Sequence, residues 1–218
     1  MQEFLTLLSA WFLHLDVHLS ELVAVYGTWI YALLFAVIFI ETGVVIMPFL
    51  PGDSLLFIAG ALAAKGLFDP WLLFFLLLVA AISGDALNFA IGSYVRRKAV
   101  DTSRIPFLKA EHIVLTQKFF ERHGGKTIIL ARFVPIVRTL APFVAALGSM
   151  PKRVFFMYNV VGGLIWVGSL LLAGYLFGNI PWVSKNLTAV VLGIVALSIM
   201  PAVIAWLKSL RSQSGSPA

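Results

Sequence analysis

Four charged side chains lie inside long apolar segments of this 218-residue chain. Glu41 and Asp53 lie in one segment, Arg132 and Arg138 lie in another, and both pairs are interleaved with prolines. A charge at membrane depth costs roughly 2.5–3.5 kcal/mol even on the mild insertion scale. Because leucine would be much cheaper at these positions, we interpret the four charges as functional.

These residue types indicate anion binding combined with proton uptake. Guanidinium groups make bidentate contacts to phosphate oxygens and keep their charge at any working pH. Carboxylates cannot favour a phosphate directly, but they can hold the arginines while no anion is bound. They can also take up protons, because desolvation favours their neutral form. We expect the arginines to pair with Glu41, Asp53 or Asp85 at rest, and a paired charge can still exchange partners.

The composition places the chain in the membrane class. Apolar residues make up 61% of the positions, charged residues only 12%, and the mean hydropathy is +0.98. A soluble domain carries about twice that charged fraction. The absence of cysteine excludes disulfides, thiolate metal sites and thiol nucleophiles. The first 25 residues lack Lys, Arg and a small-residue cleavage site, so we expect no cleaved signal peptide.

Three segments are long and apolar enough to cross a bilayer, which needs about 20 residues of helix. The predicted transmembrane helices cover residues 71–95, 154–178 and 186–207, and Asp85 is the only charge among them. Two further apolar segments, 22–64 and 127–149, contain prolines that interrupt a helix. The first predicts two crossings or a deep hairpin, and the second one broken crossing or a re-entrant hairpin. The predicted turn residues are Pro48, Pro51 and Gly52 in the first segment and Pro135 and Pro142 in the second.

Charge placement favours the re-entrant interpretation of 127–149. Residues 96–126 contain eight Lys or Arg against three acids, which places this loop in the cytoplasm. Lys152 and the basic C-terminus remain on the same side only if the chain returns to the side it left. We therefore expect a cytoplasmic C-terminus, with the N-terminus and residues 66–70 on the opposite side.

The order of elements predicts an all-α membrane protein built as an inverted repeat in one domain, 1–218. Residues 4–19 and 108–122 each place apolar side chains on one helical face, as interfacial helices do. Each is followed by a broken hairpin and a transmembrane helix, and inverted repeats with broken helices are a transporter architecture. The repeats are 1–95, with hairpin 22–64, and 96–178, with hairpin 127–149; the last transmembrane helix, 186–207, follows them.

Some polar and small residues have a simpler structural interpretation. Asp85 and Asn88 share a helical face with glycines, which favours close helix packing with one polar hydrogen bond over a transport role. We keep both as supporting site residues. Gly174 and Gly178 predict a packing face. His14 and His18 are interpreted as exposed histidines, so no metal site and no cofactor are expected.

Several motifs together make the chain resemble the DedA family, which includes the VTT, or SNARE-associated Golgi, domain proteins. The motifs are E-T-G at 41–43, F-L-P-G-D-S at 49–54, H-G-G at 123–125, A-R-F-V-P-I-V-R-T-L-A-P at 131–142 and N-V-V-G-G-L-I-W at 159–166. The resemblance covers about residues 15–207. It implies two facing re-entrant hairpins and translocation of lipid, either undecaprenyl phosphate or phospholipid, with dependence on the proton motive force. Its functional acids fall on Glu41 and Asp53, and its arginines on Arg132 and Arg138.

The residues and the resemblance lead to the same hypothesis. Arg132 and Arg138 are predicted to bind a lipid phosphate, and Glu41 and Asp53 to couple its movement to protons. The expected function is a flippase or scramblase in the bacterial inner membrane that moves a polyprenyl phosphate or a phospholipid. Moving one charge through a membrane potential is worth roughly 2.3 kcal/mol per 100 mV, which suffices to drive such transport. The expected partners are lipid and protons rather than nucleic acid, and the chain is compatible with a homo-oligomer.

Two alternatives belong to other classes. A cation/proton antiporter could use Glu41 and Asp53 while the arginines serve the structure. A lipid-phosphate enzyme would need a nucleophile or a metal in addition to the arginines. All four histidines lie outside the predicted membrane core, and only an aspartyl mechanism through Asp53 is left, so we expect a carrier and not an enzyme.

Overall fold

A computed structural model describes residues 27–44, 52–98 and 110–181, and regular structure in these ranges is entirely helical. The helices are α1 (Trp29–Gly43), α2 (Gly52–Ala64), α3 (Pro70–Arg97), α4 (Ala110–His123), α5 (Thr127–Ala131), α6 (Pro135–Leu147) and α7 (Lys152–Gly178). A 3₁₀ turn, Gly124–Lys126, joins α4 to α5. The predicted all-α class is confirmed for these ranges.

Helices α3 and α7 are the two described helices long and apolar enough to cross a membrane. They contain 28 and 27 residues, or about 42 and 40 Å of helix. Asp69 caps α3 by accepting a hydrogen bond of 2.7 Å from the Leu72 amide, and Pro70 occupies the first turn, where a proline costs no hydrogen bond. The helices predicted over 71–95 and 154–178 are therefore confirmed, whereas 186–207 lies outside the described residues.

The two proline-containing segments are divided into short helices. Helices α1 and α2 contain 15 and 13 residues, so each is about 20 Å long, whereas the hydrocarbon core measures about 30 Å. In the second segment α5 ends at Ala131 and α6 begins at Pro135. Val134 is extended, as the residue before a proline prefers, and this conformation breaks the helix.

One predicted turn residue is placed differently by the structure. Pro142 lies inside α6 and not in a turn, so that part of the prediction was wrong. A proline removes one backbone hydrogen bond, and helices in membrane proteins tolerate this because neighbouring groups can satisfy the freed carbonyl. Gly52 is the first residue of α2, while Pro48 and Pro51 lie outside the described residues.

Each long helix packs against one short helix from each half of the chain. Helix α3 contacts α1 and α6, and α7 contacts α2 and α5. The α2–α7 contact is close because Gly174 lies against the Phe57 carbonyl, where a Cβ would overlap it, and Gly178 lies against Ala61. These contacts confirm the glycine packing face.

Apolar side chains between these helices form two main clusters. One lies between α1, α2, α3 and α7, and the other between α3, α5, α6 and α7, where the rings of Phe89 and Phe155 stack at 4.1 Å. Helix α4 covers residues 110–122 of the amphipathic helix predicted over 108–122. On its predicted apolar face Phe119 packs on the second cluster, but Leu115 is exposed. The helix predicted over 4–19 lies outside the described residues.

Candidate functional site

The fold brings the four predicted charges into one cluster, together with Asp85 of α3. Glu41 lies in the last turn of α1, and Asp53 lies in the first turn of α2. Arg132 occupies the break between α5 and α6, and Arg138 lies in the first turn of α6. The interrupted helices therefore position all four side chains at or near helix ends.

Arg138 lies between the two carboxylates of the first segment. Its Nη1 donates to Asp53 Oδ1 at 2.8 Å, and its Nη2 lies 3.3 Å from Glu41 Oε1 as an ion pair without hydrogen-bond geometry. The Arg138 and Glu41 side chains are 10% and 7% exposed, but that of Asp53 is 30% exposed. Asp53 is thus the most exposed charged side chain of this group.

Arg132 forms a second, deeper ion pair. Its Nη2 donates to Asp85 Oδ2 at 2.5 Å and to Asn159 Oδ1 at 2.6 Å, and the Arg132 and Asp85 side chains are only 2% and 7% exposed. Asn159 is itself held, because its amide donates to the Ile82 carbonyl at 3.0 Å. Arg132 is therefore held by two side chains, and Asp85 has a charged partner in addition to its role in helix packing.

Trp166 of α7 connects the two ion pairs. Its indole Nε1 donates to Asp53 Oδ1 at 2.9 Å. The Arg138 guanidinium carbon lies 4.0 Å from the centre of the indole ring, and that of Arg132 lies 5.7 Å from it, both within cation–π range. One side chain thus touches the accessible acid and both cations.

Several buried polar atoms of the cluster have no hydrogen-bond partner within the described part of the chain. They are Arg132 Nε and Nη1, Arg138 Nη2 and Glu41 Oε2. An unsatisfied buried polar group costs about 1–3 kcal/mol, and more when it is charged. Because N–H groups of both arginines lack an acceptor, the cluster can bind further acceptor atoms, such as the oxygens of an anion.

Two helix N-termini add positive potential at the cluster. Helices α2 and α6 both begin here, and the N-terminus of a helix carries about half a positive charge with unsatisfied N–H groups. Asp53 offsets this potential at α2, but Arg138 adds to it at α6. At Gly52 a Cβ would overlap the Glu41 carboxylate, so glycine allows this acid to lie against the start of α2.

Asn88 joins the two charged segments through their backbones. Its side-chain amide donates to the Thr42 carbonyl at 3.3 Å and to the Thr139 carbonyl at 2.8 Å. These residues directly follow Glu41 and Arg138, so one side chain of α3 links the backbones of the two segments beside their charges. The structure thereby places both supporting residues, Asp85 and Asn88, at the cluster.

Asn159 and Trp166 belong to the site, although they were not selected from the sequence. They are seven residues apart, or two helical turns, and so share one face of α7. Both lie in the N-V-V-G-G-L-I-W motif, and polar or amphipathic side chains at that spacing in a transmembrane helix were the available signal.

Comparison with known proteins identifies the family. The VTT domain model matches residues 50–176, a range that contains most of the cluster. The protein DedA of Escherichia coli strain K12 is 52% identical over 202 residues, which cover 92% of each chain. The chain belongs to the DedA family.

Other DedA relatives are more distant. A protein of Mycobacterium leprae strain TN, called an uncharacterized membrane protein, is 42% identical over 82% of this chain and 80% of its own. The inner membrane protein YghB of Escherichia coli strain K12 is 34% identical over 72% of each chain. These names support a membrane location for this DedA-family chain. No solved structure matches it significantly.

Proposed function

We propose that this DedA-family protein is a lipid transporter that moves a polyprenyl phosphate, such as undecaprenyl phosphate, or a phospholipid across the bacterial inner membrane. The observation that carries the proposal is the Arg138–Asp53 pair. Its 2.8 Å contact lies at the N-terminus of α6, and its carboxylate is 30% exposed. A lipid phosphate can replace that carboxylate on the same guanidinium and gain the helix N-terminus as well.

Exchange at Arg138 provides a route for coupling to protons. While Asp53 and Glu41 contact Arg138, the guanidinium favours their charged forms. When phosphate takes the guanidinium, both acids lose that cation, and burial favours the neutral form of Glu41, whose side chain is 7% exposed. Proton uptake would then accompany head-group binding, and the proton gradient would drive release on the other side.

The two arginines take different parts in this mechanism. Arg138 makes the exchangeable contact with the phosphate. Arg132 is held by Asp85 and Asn159, and its Nε lies near Gly162 of α7, so it contributes charge from a constant position. A fixed cation lowers the cost of bringing the phosphate into the membrane without itself having to move.

An inverted repeat of two re-entrant hairpins is part of the proposal. Two observations support it. Each short helix is too short to cross the hydrocarbon core, and each half of the chain packs one short helix on the long helix of the other half. The first arm of each segment packs on the long helix of its own half, α1 on α3 and α5 on α7. The second arm packs on the long helix of the other half, α2 on α7 and α6 on α3.

The topology is tested by single-cysteine labelling, since the chain contains no cysteine. In Leu67→Cys cells, an impermeant maleimide should label the protein from outside, because position 67 lies in the loop after α2. In Lys152→Cys cells, labelling should appear only after permeabilisation, because positive-inside orientation keeps the start of α7 in the cytoplasm. Labelling of position 152 in intact cells would refute the re-entrant model.

Neutralising Glu41 and Asp53 should separate binding from coupling. Glu41→Gln and Asp53→Asn each mimic the protonated acid. We therefore expect both variants to bind lipid, but the factor by which a pH gradient increases their flipping rate should be at least tenfold smaller than in wild type. The measurement is flipping of labelled phosphatidic acid in proteoliposomes with and without the gradient. Glu121→Gln, an exposed acid on α4, is the control. Normal rates and normal gradient sensitivity in both variants would mean that the acids only support the arginines.

The same vesicles distinguish the proposed carrier from the two other classes. Phosphate released from lipid would indicate an enzyme instead of the carrier that we propose. Cation-dependent collapse of a pH gradient without lipid movement would indicate an antiporter through Glu41 and Asp53. Flipping of the labelled lipid by wild type, and its loss in Arg138→Ala, is the result that supports lipid transport.

A further inference from the structure

We infer that Trp166 is a positioning residue that holds Asp53 on Arg138 and thereby sets how readily an anion gains access to that arginine. The inference rests on the proposed function, because it concerns the step in which a lipid phosphate replaces Asp53. Trp166 does not itself bind the phosphate in this mechanism.

A single oxygen of Asp53 carries the argument. Asp53 Oδ1 accepts both from Arg138 Nη1, at 2.8 Å, and from Trp166 Nε1, at 2.9 Å. Trp166 is only 1% exposed, whereas the Asp53 side chain is 30% exposed. The partly exposed Asp53 carboxylate is thus held in place by a hydrogen bond from the buried Trp166 indole.

The indole makes two contacts that respond differently to exchange. Its face supports the Arg138 guanidinium at 4.0 Å, and a cation–π contact leaves the N–H groups in the guanidinium plane free for acceptors. This contact persists when phosphate replaces Asp53. The indole N–H bond to Asp53 is lost when the carboxylate leaves, so it stabilises only the state without a bound anion.

The energetic balance has a definite sign. A hydrogen bond to a charged acceptor typically changes an equilibrium by about tenfold or more. Removing the N–H while keeping an aromatic ring should destabilise the resting pair and leave the anion-bound state unchanged. Trp166→Phe should therefore bind phosphate more tightly than wild type, which is the opposite of what loss of a direct ligand would do.

Binding and transport test this sign together. Calorimetric titration of purified protein with dioctanoyl phosphatidic acid should give a Kd about tenfold lower in Trp166→Phe, while dioctanoylglycerol, which lacks the phosphate, should show no difference. In vesicles the same variant should have a lower KM and a lower maximal rate, because Asp53 no longer returns readily to release the phosphate. Trp166→Leu, which also removes the ring, should bind less tightly than Trp166→Phe. Trp71→Phe, at a position 70% exposed on α3, is the matched control.

A measurement without lipid separates this inference from the proposed function. Phenylglyoxal modifies accessible arginines, and we expect Arg138 to react about tenfold faster in Trp166→Phe than in wild type. Asp53→Ala should give a similar acceleration, and the double variant should add less than twofold to it, because both changes release the same contact. Trp166→Leu also lacks the indole N–H and should show the same acceleration, so it provides the test if Trp166→Phe does not fold.

The outcomes are distinct. Weaker binding of phosphatidic acid by Trp166→Phe would overturn the inference and make the indole N–H a ligand of the phosphate. Unchanged binding and unchanged phenylglyoxal rates would also overturn it. If wild type binds no phosphatidic acid while Arg138 reacts faster in Trp166→Phe, the proposed function fails and the positioning role stands.

Discussion

Replacement of Arg132 by alanine is expected to lower the free energy of unfolding by about 3–5 kcal/mol, because it leaves a buried carboxylate without its cation. Asp85 is 7% exposed and lies 2.5 Å from Arg132 Nη2, so water cannot replace the lost partner cheaply. Asn159 loses its contact as well. Thermal unfolding in detergent measures the effect. Samples are heated to a series of temperatures, and size-exclusion chromatography gives the fraction that remains folded.

A second substitution identifies the cause. Asp85→Asn in the Arg132→Ala background removes the stranded charge and should restore much of the lost stability, although not transport. Arg122→Ala, at an exposed position on α4, should leave the melting temperature nearly unchanged. An unstable double variant would mean that Arg132 supports the fold through packing and not through its charge.

Arg138→Lys should reduce the rate of lipid flipping about a hundredfold while leaving the protein folded. The guanidinium places one nitrogen on Asp53 and another beside Glu41 while its face lies on Trp166. A lysine ammonium is a point charge and cannot reproduce this planar fork, either with the acids or with a phosphate. Two charge-assisted hydrogen bonds of about 1.5 kcal/mol each correspond to a factor of about a hundred.

Flipping of labelled phosphatidic acid in proteoliposomes measures the effect, and the melting temperature reports folding. Arg122→Lys serves as the matched control, since it makes the same chemical change on the exposed side of α4. Wild-type flipping by Arg138→Lys would show that positive charge alone suffices and that the bidentate phosphate contact is wrong.

Features that depend on neighbours in sequence were predictable. The long apolar helices α3 and α7 follow from uninterrupted apolar composition, because each backbone group of a helix is satisfied within its own segment. The break before α6 follows from Pro135. A proline keeps the preceding residue out of the helical conformation, but it fits well at the first position of a helix. Pro142 is the exception, since packing around α6 outweighs the local effect of one proline.

Glu41, Asp53, Arg132 and Arg138 could be selected from the sequence because each charge in an apolar segment carries its cost independently of its partners. Their pairing could not. Arg132 pairs with Asp85, 47 residues away in sequence, and Arg138 pairs with Asp53, 85 residues away. Residues this far apart in sequence meet only when α2, α3 and α6 pack together. From composition alone, each acid could pair equally well with either arginine.

The role of Trp166 depends on tertiary structure even more strongly. An aromatic residue in a transmembrane helix is ordinary in sequence, and its donor and its ring acquire meaning only from the groups beside them. The contact with Asp53 spans 113 residues and joins α7 to the start of α2. Local chemistry therefore determined the membrane class and the charges at stake, whereas helix packing decided which cation meets which acid and which side chain holds them together.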